Sequence, residues 1–224
     1  MKEKVNRTIT VKGVGSASVR PDYITISMTI ESVRKDYNES MEDAAQRIEK
    51  LQDAVIRSGY KKEDLKTISF DVDTRYENIH DRQGNYKREF SGYAVTYCLK
   101  LSFDMNSKQL AKVIGTISES GAAPELSTAF TVKDPAKISE ALLVSATENA
   151  KAKAEILCKA SGHELGLLLS IDYNWGEVNV ISRTRYAMED SVQPLMAKSS
   201  LNAPEIEPDD INVSDTVTFT WEIK

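Results

Sequence analysis

Asp71, Asp73 and Glu77 fall at odd positions of one short stretch, with His80 and Asp81 just beyond them. On a strand such carboxylates share a face, and a hard cation such as Ca²⁺ accepts oxygen ligands of this kind. Arg75 sits among them, however, and Lys87 and Arg88 fall where the returning strand of a hairpin would bring them. The stretch therefore reads first as a charged, solvated face with cross-strand pairs. Asp71, Asp73, His80 and Asp81 are kept as the candidate cation set. Gly13-Val14-Gly15 resembles a phosphate-binding turn, but that chemistry needs a strand, a glycine loop and then a helix whose amides face the phosphate. A second strand pattern follows here and no Gly-Lys-Ser/Thr appears, so these glycines read as sites of close packing, with an alanine-faced helix as the neighbour to expect. His80 and His163, the two histidines, both fall at element ends, and nothing marks the buried acid that a Ser-His-Asp triad requires. Lys151 and Lys153 read as the wet face of a helix. Arg183-Thr184-Arg185 is too small a basic patch for nucleic acid. No catalytic constellation emerges, and no cofactor is called for.

The stretch that must position everything else runs from Asp134 to Tyr173. Asp134-Pro135 opens a helix, with an acidic cap before the imino acid that suits a first turn. Ile138, Leu142, Ala146, Ala150, Ala154 and Leu157 make one face, and Gly162 is its left-handed stop. At 1.5 Å per residue the helix is roughly 40 Å long. Its middle is alanine, so whatever lies beneath can approach the backbone closely. Leu167, Leu169, Ile171 and Tyr173 then alternate as a strand.

The other segments supply the sheet. Ile9, Val11, Gly13, Gly15, Ala17 and Val19 alternate. Arg20-Pro21-Asp22 suggests a hairpin into Ile24, Ile26, Met28 and Ile30. A helix from about Asn38 carries Met41, Ala45, Ile48, Leu51 and Val55, with Gly59 as its stop and Asp36 to Glu39 at capping-box spacing. Ile68, Phe70, Val72 and Tyr76 begin a long hairpin, about residues 67–103, whose polar tip at 80–85 is expected to project. Leu110, Val113, Ile114 and Ile117 mark a second helix ending at Gly121, and Leu126, Phe130 and Val132 a short strand. Between 175 and 210 the pattern fails around Pro194, Pro204 and Pro208, with Val178 and Val180 as candidates for a short strand. Val213, Val217, Phe219, Trp221 and Ile223 close the chain in strict alternation. The result is an α+β fold: antiparallel sheet built of long hairpins, with two shorter helices and one long alanine-faced helix packed on it. Residues 1–224 are read as a single domain.

Bulk properties agree. Two hundred and twenty-four residues suffice for one sizeable core or two small ones. A formal charge of −5, with basic and acidic residues interleaved, argues against a nucleic-acid surface. No apolar run approaches the roughly 20 residues of a transmembrane helix. No signal-peptide core opens the chain, so as given it reads as cytoplasmic, or as a trimmed form of a periplasmic or envelope protein. Two cysteines are too few for a disulfide scaffold. Cys98 falls on the polar side of its strand and Cys158 on the long helix, so both read as free thiols on different sides of the sheet.

Three pieces in order resemble the SIMPL-domain family: Ile9-Thr-Val-Lys-Gly-Val-Gly with Pro21-Asp22; Gly92-Tyr93 opening a long strand before a helix ending in Ser120-Gly121; and Ala146, Ala150, Lys153-Ala154, Gly162 and Leu165-Gly166 before the closing Val217-Thr-Phe-Thr-Trp. The resemblance implies an α+β fold, a periplasmic or envelope setting, and assembly of some members into large oligomers. It also implies phenotypic links to oxidative-stress tolerance and, in animal relatives, to kinase-associated signalling. It supplies no catalytic residues. The reading it supports is a non-enzymatic, self-associating interaction module. Trp175, Tyr186, Met188, Leu195, Met196 and Leu201 of the irregular segment, together with the terminal strands as open sheet edges, are its candidate contacts. The alternative is a small-molecule or metal-binding protein with its site near the 71–81 face.

Overall fold

The structure, a computed structural model, describes residues 7–80, 86–174, 180–184, 186–187 and 207–224. Its elements run β1 (Thr8–Val19), β2 (Tyr23–Arg34), α1 (Tyr37–Ser58), β3 (Lys66–His80), β4 (Tyr86–Asp104), α2 (Ser107–Ser118), β5 (Glu125–Thr131), α3 (Pro135–Ala160), β6 (Leu165–Asp172), β7 (Tyr186–Ala187) and β8 (Ile211–Ile223). All strand pairs are antiparallel, and the expected α+β class is what the chain adopts. The strands form two sheets, β1-β8-β6 and β3-β4-β2-β5-β7. The contacts gather into two compact units, one of residues 1–21, 132–183 and 209–224, the other of 22–131 and 184–208.

In the first unit α3 lies on β1 and β8. The helix buries Ile138, Leu142, Ala146, Ala150, Ala154 and Cys158, a strict four-residue stripe. Beneath it are Val11, Val217, Phe219 and Trp221, the last two rings stacked with centroids 5.4 Å apart. The approach is closest at the glycines. A Cβ on Gly13 would stand 2.0 Å from the Ala146 carbonyl oxygen, and one on Gly15 2.0 Å from that of Leu142. The close-packing reading of Gly13-Val14-Gly15 is therefore the correct one. Leu157, expected on the buried face, is exposed, because a stripe of step four drifts around a 3.6-residue helix and reaches Cys158 instead. Asp134 makes no side-chain capping bond to the backbone. Its carboxylate instead pairs with Lys137 Nζ at 3.2 Å, which holds its pKa below the ordinary value. Gly162 closes the helix as expected, at φ +78. The Gly162 N–H reaches the Lys159 carbonyl and the His163 N–H the Cys158 carbonyl, the two bonds of a Schellman turn.

In the second unit β2 is the centre of the sheet. Ile24, Ile26, Met28 and Ile30 are fully buried with Leu99 and Leu101 of β4, Leu51 and Val55 of α1, Leu110, Val113 and Ile117 of α2, and Phe130 of β5. Asp36 Oδ1 accepts from the Asn38 and Glu39 amides, and Asn106 Oδ1 from Gln109, so both helices begin on the acceptor side chains their N-termini require. The buried face of α1 is Ser40, Ala44, Leu51, Ala54, Val55 and Ser58; Ala45 is exposed and Met41 half-buried, so the face is turned from the expected phase. Arg47 donates to the carbonyls of Glu31, Ala122 and Ala123, and so holds Ala123 at φ 46.

The hairpin expected between β1 and β2 does not form. β1 pairs with β8 along its whole length, from Thr8↔Glu222 to Val19↔Ile211, while β2 pairs with β4 and β5. Side-chain volume separates them: the glycine face of β1 matches the alanine face of α3, and the Ile/Met face of β2 matches the bulky faces of α1 and α2. β8, expected as a sheet edge, is accordingly central. Cys98 and Cys158 are free, as expected, but Cys98 lies on β4 and Cys158 on α3, which packs on the other sheet, so they do not face two sides of one.

Gly13→Ala and Gly15→Ala should each lower stability by at least about 1–3 kcal/mol, because backbone carbonyls must move to admit the methyl group. Gly115 of α2 has nothing within 4 Å of its would-be Cβ, so Gly115→Ala should stabilise by about 0.5–1 kcal/mol. Denaturant midpoints of the three variants check both signs.

Candidate interaction surface

Among the described residues β3 is an edge strand whose one neighbour is β4. Register places Asp71 opposite Thr96, Asp73 opposite Ala94 and Arg75 opposite Gly92. Asp71, Asp73 and Arg75 thus lie on the outward face, away from the α1 and α2 core. Arg75 does not bridge the strand's own acids: its guanidinium pairs with Glu31 on β2. Glu77 Oε1 accepts from Ser91 Oγ at 2.7 Å. The charged face with cross-strand partners is therefore present. Among the described residues no group of three His, Cys, Asp or Glu side chains converges on a cation position. His80 ends β3 opposite Tyr86, and Asp81 lies outside the described residues.

The opposite face of the same hairpin is aromatic. Phe70 packs on Tyr97 with centroids 4.6 Å apart. Farther out, Tyr76 meets Phe90 edge-on, Phe90 meets Tyr93, and Tyr93 meets Tyr37, the first residue of α1. Arg88 lies over the Tyr76 ring at 4.3 Å from its centroid. β2 ends at Arg34, opposite Tyr93. Beyond that point β3 and β4 continue alone, Arg75–His80 against Tyr86–Gly92, as a two-stranded arm about 20 Å long. The expected hairpin is thus present with slightly wider bounds, and its outer part has no third strand among the described residues. A bulge marks the base of the arm: β4 steps from Gly92 to Phe90 while β3 steps from Arg75 to Tyr76. A Cβ on Gly92 would meet the Arg34 carbonyl oxygen at 2.4 Å, so only glycine fits there.

The other edges are occupied or interrupted in part. On β1 the Val14 N–H donates to Asn149 Oδ1 at 3.0 Å, and Lys153 Nζ donates to the Lys12 carbonyl at 3.3 Å, so α3 side chains occupy edge groups a further strand would use. β6 has two register shifts in eight residues, at Leu165/Leu168 and Leu168/Ser170. These break the expected alternation and leave Leu167, Leu169 and Ile171 exposed. Tyr173 Oη donates to Asp215 Oδ2 at 2.9 Å, and this bond to a carboxylate raises the phenol pKa. β7 covers β5 at Ser127 and Thr128. The expected contact residues are mostly beyond reach: Trp175, Met188, Leu195, Met196 and Leu201 lie outside the described residues, and Tyr186 is placed only by its backbone pairing with Thr128. Val180 is buried and Ser182 Oγ donates to the Asp209 carbonyl at 2.8 Å. His163 Nδ1 is 2.8 Å from the Ser161 carbonyl oxygen, as suits a residue of the helix cap.

Comparison with known proteins supports one family. A family model described as SIMPL, a protein of unknown function (DUF541), matches residues 9–221. The 26 kDa periplasmic immunogenic protein of Brucella abortus is 23% identical over 222 residues, covering 96% of this chain and 84% of the relative. The protein of the same name from Brucella melitensis biotype 1 matches with the same identity and coverage. No described helix is long and apolar enough to cross a membrane.

Millimolar Ca²⁺ should leave the thermal midpoint of the protein unchanged. A rise that disappears in Asp71→Asn/Asp73→Asn would restore a cation site on this face.

Proposed function

The chain belongs to the SIMPL family, and from that membership we propose that it is a non-enzymatic, self-assembling protein that works through the surfaces it offers to further copies of itself. The observation that carries this reading is β3, an edge strand among the described residues, exposed on both faces from Phe70 to Asn78, with alternate apolar side chains Phe70, Val72 and Tyr76 in water. An exposed apolar edge of this length is a template for another chain. Trp175, Tyr186, Met188, Leu195, Met196 and Leu201 are proposed as a second contact region, since their apolar side chains fall in a segment whose three prolines, Pro194, Pro204 and Pro208, disfavour regular structure.

The word periplasmic in the names of the two Brucella proteins supports an envelope setting over the cytoplasm. A part in stress tolerance rests on the family resemblance alone. Residues 1–224 are proposed to act as one domain, because the chain passes between its compact units four times, at 21/22, 131/132, 183/184 and 208/209. Neither unit is one continuous stretch that could be inherited separately. The cation alternative near residues 71–81 has no comparable support, since among the described residues no three His, Cys, Asp or Glu side chains converge there.

Light scattering across the micromolar range should give a mass above the 25.0 kDa protomer, rising with concentration. A constant protomer mass would overturn the assembly reading. Replacing residues 178–205 by a short Gly/Ser linker should lower the mass while unfolding stays cooperative; an unchanged mass would remove the segment from the contact set.

A further inference from the structure

We propose that the β3–β4 arm is completed by the same arm of a second copy, with β3 running antiparallel to β3 about a two-fold axis through Tyr76. This rests on the self-association proposed above and gives it a surface and a register. The first ground is physical. A two-stranded ribbon is at best marginal in water, and three or more strands with an apolar face are needed for order. Among the described residues the arm has two strands, and Tyr76 and Phe90 on its apolar face are 46% and 41% exposed. Pairing arm to arm makes four strands and continues the ring series as Phe90, Tyr76, Tyr76, Phe90.

The second ground is the accessibility of the edge. β1 is bonded at Val14 and Lys12 by Asn149 and Lys153, β6 is broken by two register shifts, and β5 is paired with β7 at Ser127 and Thr128. β3 by contrast advances residue by residue from Ser69 to His80, because the irregularity at the base of the arm is taken up by β4.

The third ground is charge and fixes the register. A two-fold axis normal to an antiparallel sheet pairs residues whose numbers have an even sum, so it passes through one residue. Through Asp73 it would pair Asp71 with Arg75 but set the two Asp73 carboxylates against each other, through Arg75 it would set Arg75 against Arg75 and Asp73 against Glu77, and through Val72 it would set Asp71 against Asp73 twice. An axis through Thr74 pairs Asp73 with Arg75 but sets Asp71 against Glu77. Through Tyr76 it pairs Arg75 with Glu77 of the second copy twice, Thr74 with Asn78 twice, and the two Tyr76 rings with each other. Opposite charges directly across a ladder stabilise it and like charges oppose it. Glu77 and Arg75 share the outward face, so both ion pairs form on one side and the aromatic series on the other.

The test uses full-length protein carrying Cys98→Ser, since Cys158 is buried. Thr74→Cys and Asn78→Cys are made separately and oxidised alone and as an equimolar mixture. Directly opposed strand residues have Cα atoms about 4.5–5.5 Å apart, within disulfide reach. Covalent dimer is expected in the mixture and in neither variant alone. Arg75→Glu should weaken association about tenfold or more, and Arg75→Glu/Glu77→Arg should recover it. If the parent is larger than a protomer by light scattering but the mixture gives no dimer, this arm pairing is wrong and self-association stands on other surfaces. Dimer from Thr74→Cys alone would move the axis to Thr74 and overturn the register. A parent that stays a protomer throughout overturns both proposals.

Discussion

The contact between α3 and β1 at Gly13 and Gly15 is the constraint on which the rest of the fold turns. With would-be Cβ atoms 2.0 Å from helix carbonyls, no side chain other than hydrogen fits at either position. This decides more than local packing. A helix this close to its sheet can bury only small residues at the crossing, which is why Ala146, Ala150 and Ala154 follow one another on its stripe. It also decides strand partners. β1 cannot share an inward face with β2, whose Ile24, Ile26, Met28 and Ile30 hold the helices of the other unit at full side-chain distance. Two adjacent strands thus go to two sheets.

The same closeness closes an edge. Because α3 lies directly on β1, Asn149 accepts from the Val14 amide and Lys153 donates to the Lys12 carbonyl. β6, at the other side of that sheet, is protected by irregularity. Bulges and charged or capped edges are the ordinary means by which sheets avoid pairing with strangers. β3 carries charges as well, but their order along the strand differs in effect: Asp71, Asp73, Arg75 and Glu77 together set like charges opposite in most self-pairings and favour one. The strand is selective rather than blocked.

Local features were the most legible in the sequence. Asp36, Gly59 and Gly162 sit at helix ends because capping requires only neighbours in the chain, and each can be read from a window of a few residues. The alanine stripe and the glycine pair were also readable together, since small residues on two elements imply a close approach. Pairing of β1 with β8 was not, because it joins residues some two hundred positions apart. Arg20-Pro21-Asp22 has the composition of a turn and serves as a crossing. The phase of α1 failed by one residue at Ala44/Ala45, where two adjacent alanines give periodicity nothing to choose between. Of the candidate site, the charged hairpin face was legible, but its Arg75–Glu31 pair was not, because β4 lies between those two strands.

The arm shows why an aromatic strip can be poor evidence of a core and good evidence of a contact. Ring pairs contribute about 0.5–1.5 kcal/mol each, and an exposed cation–π contact such as Arg88 on Tyr76 about 0.5–1 kcal/mol. Fixing the backbone costs about 1–2 kcal/mol for every residue ordered. Over the dozen or so residues of the arm the rings alone do not offset that cost, so the order of the arm depends on its hydrogen-bonded ladder and on removing its apolar face from water. Among the described residues of one chain the ladder is one-sided and the face stays half exposed. A second arm supplies both missing terms at once, a further ladder along β3 and cover for Tyr76. For this reason the exposed aromatics belong to the logic of association, and the buried Ile, Leu and Met side chains of β2 and β4 to that of folding.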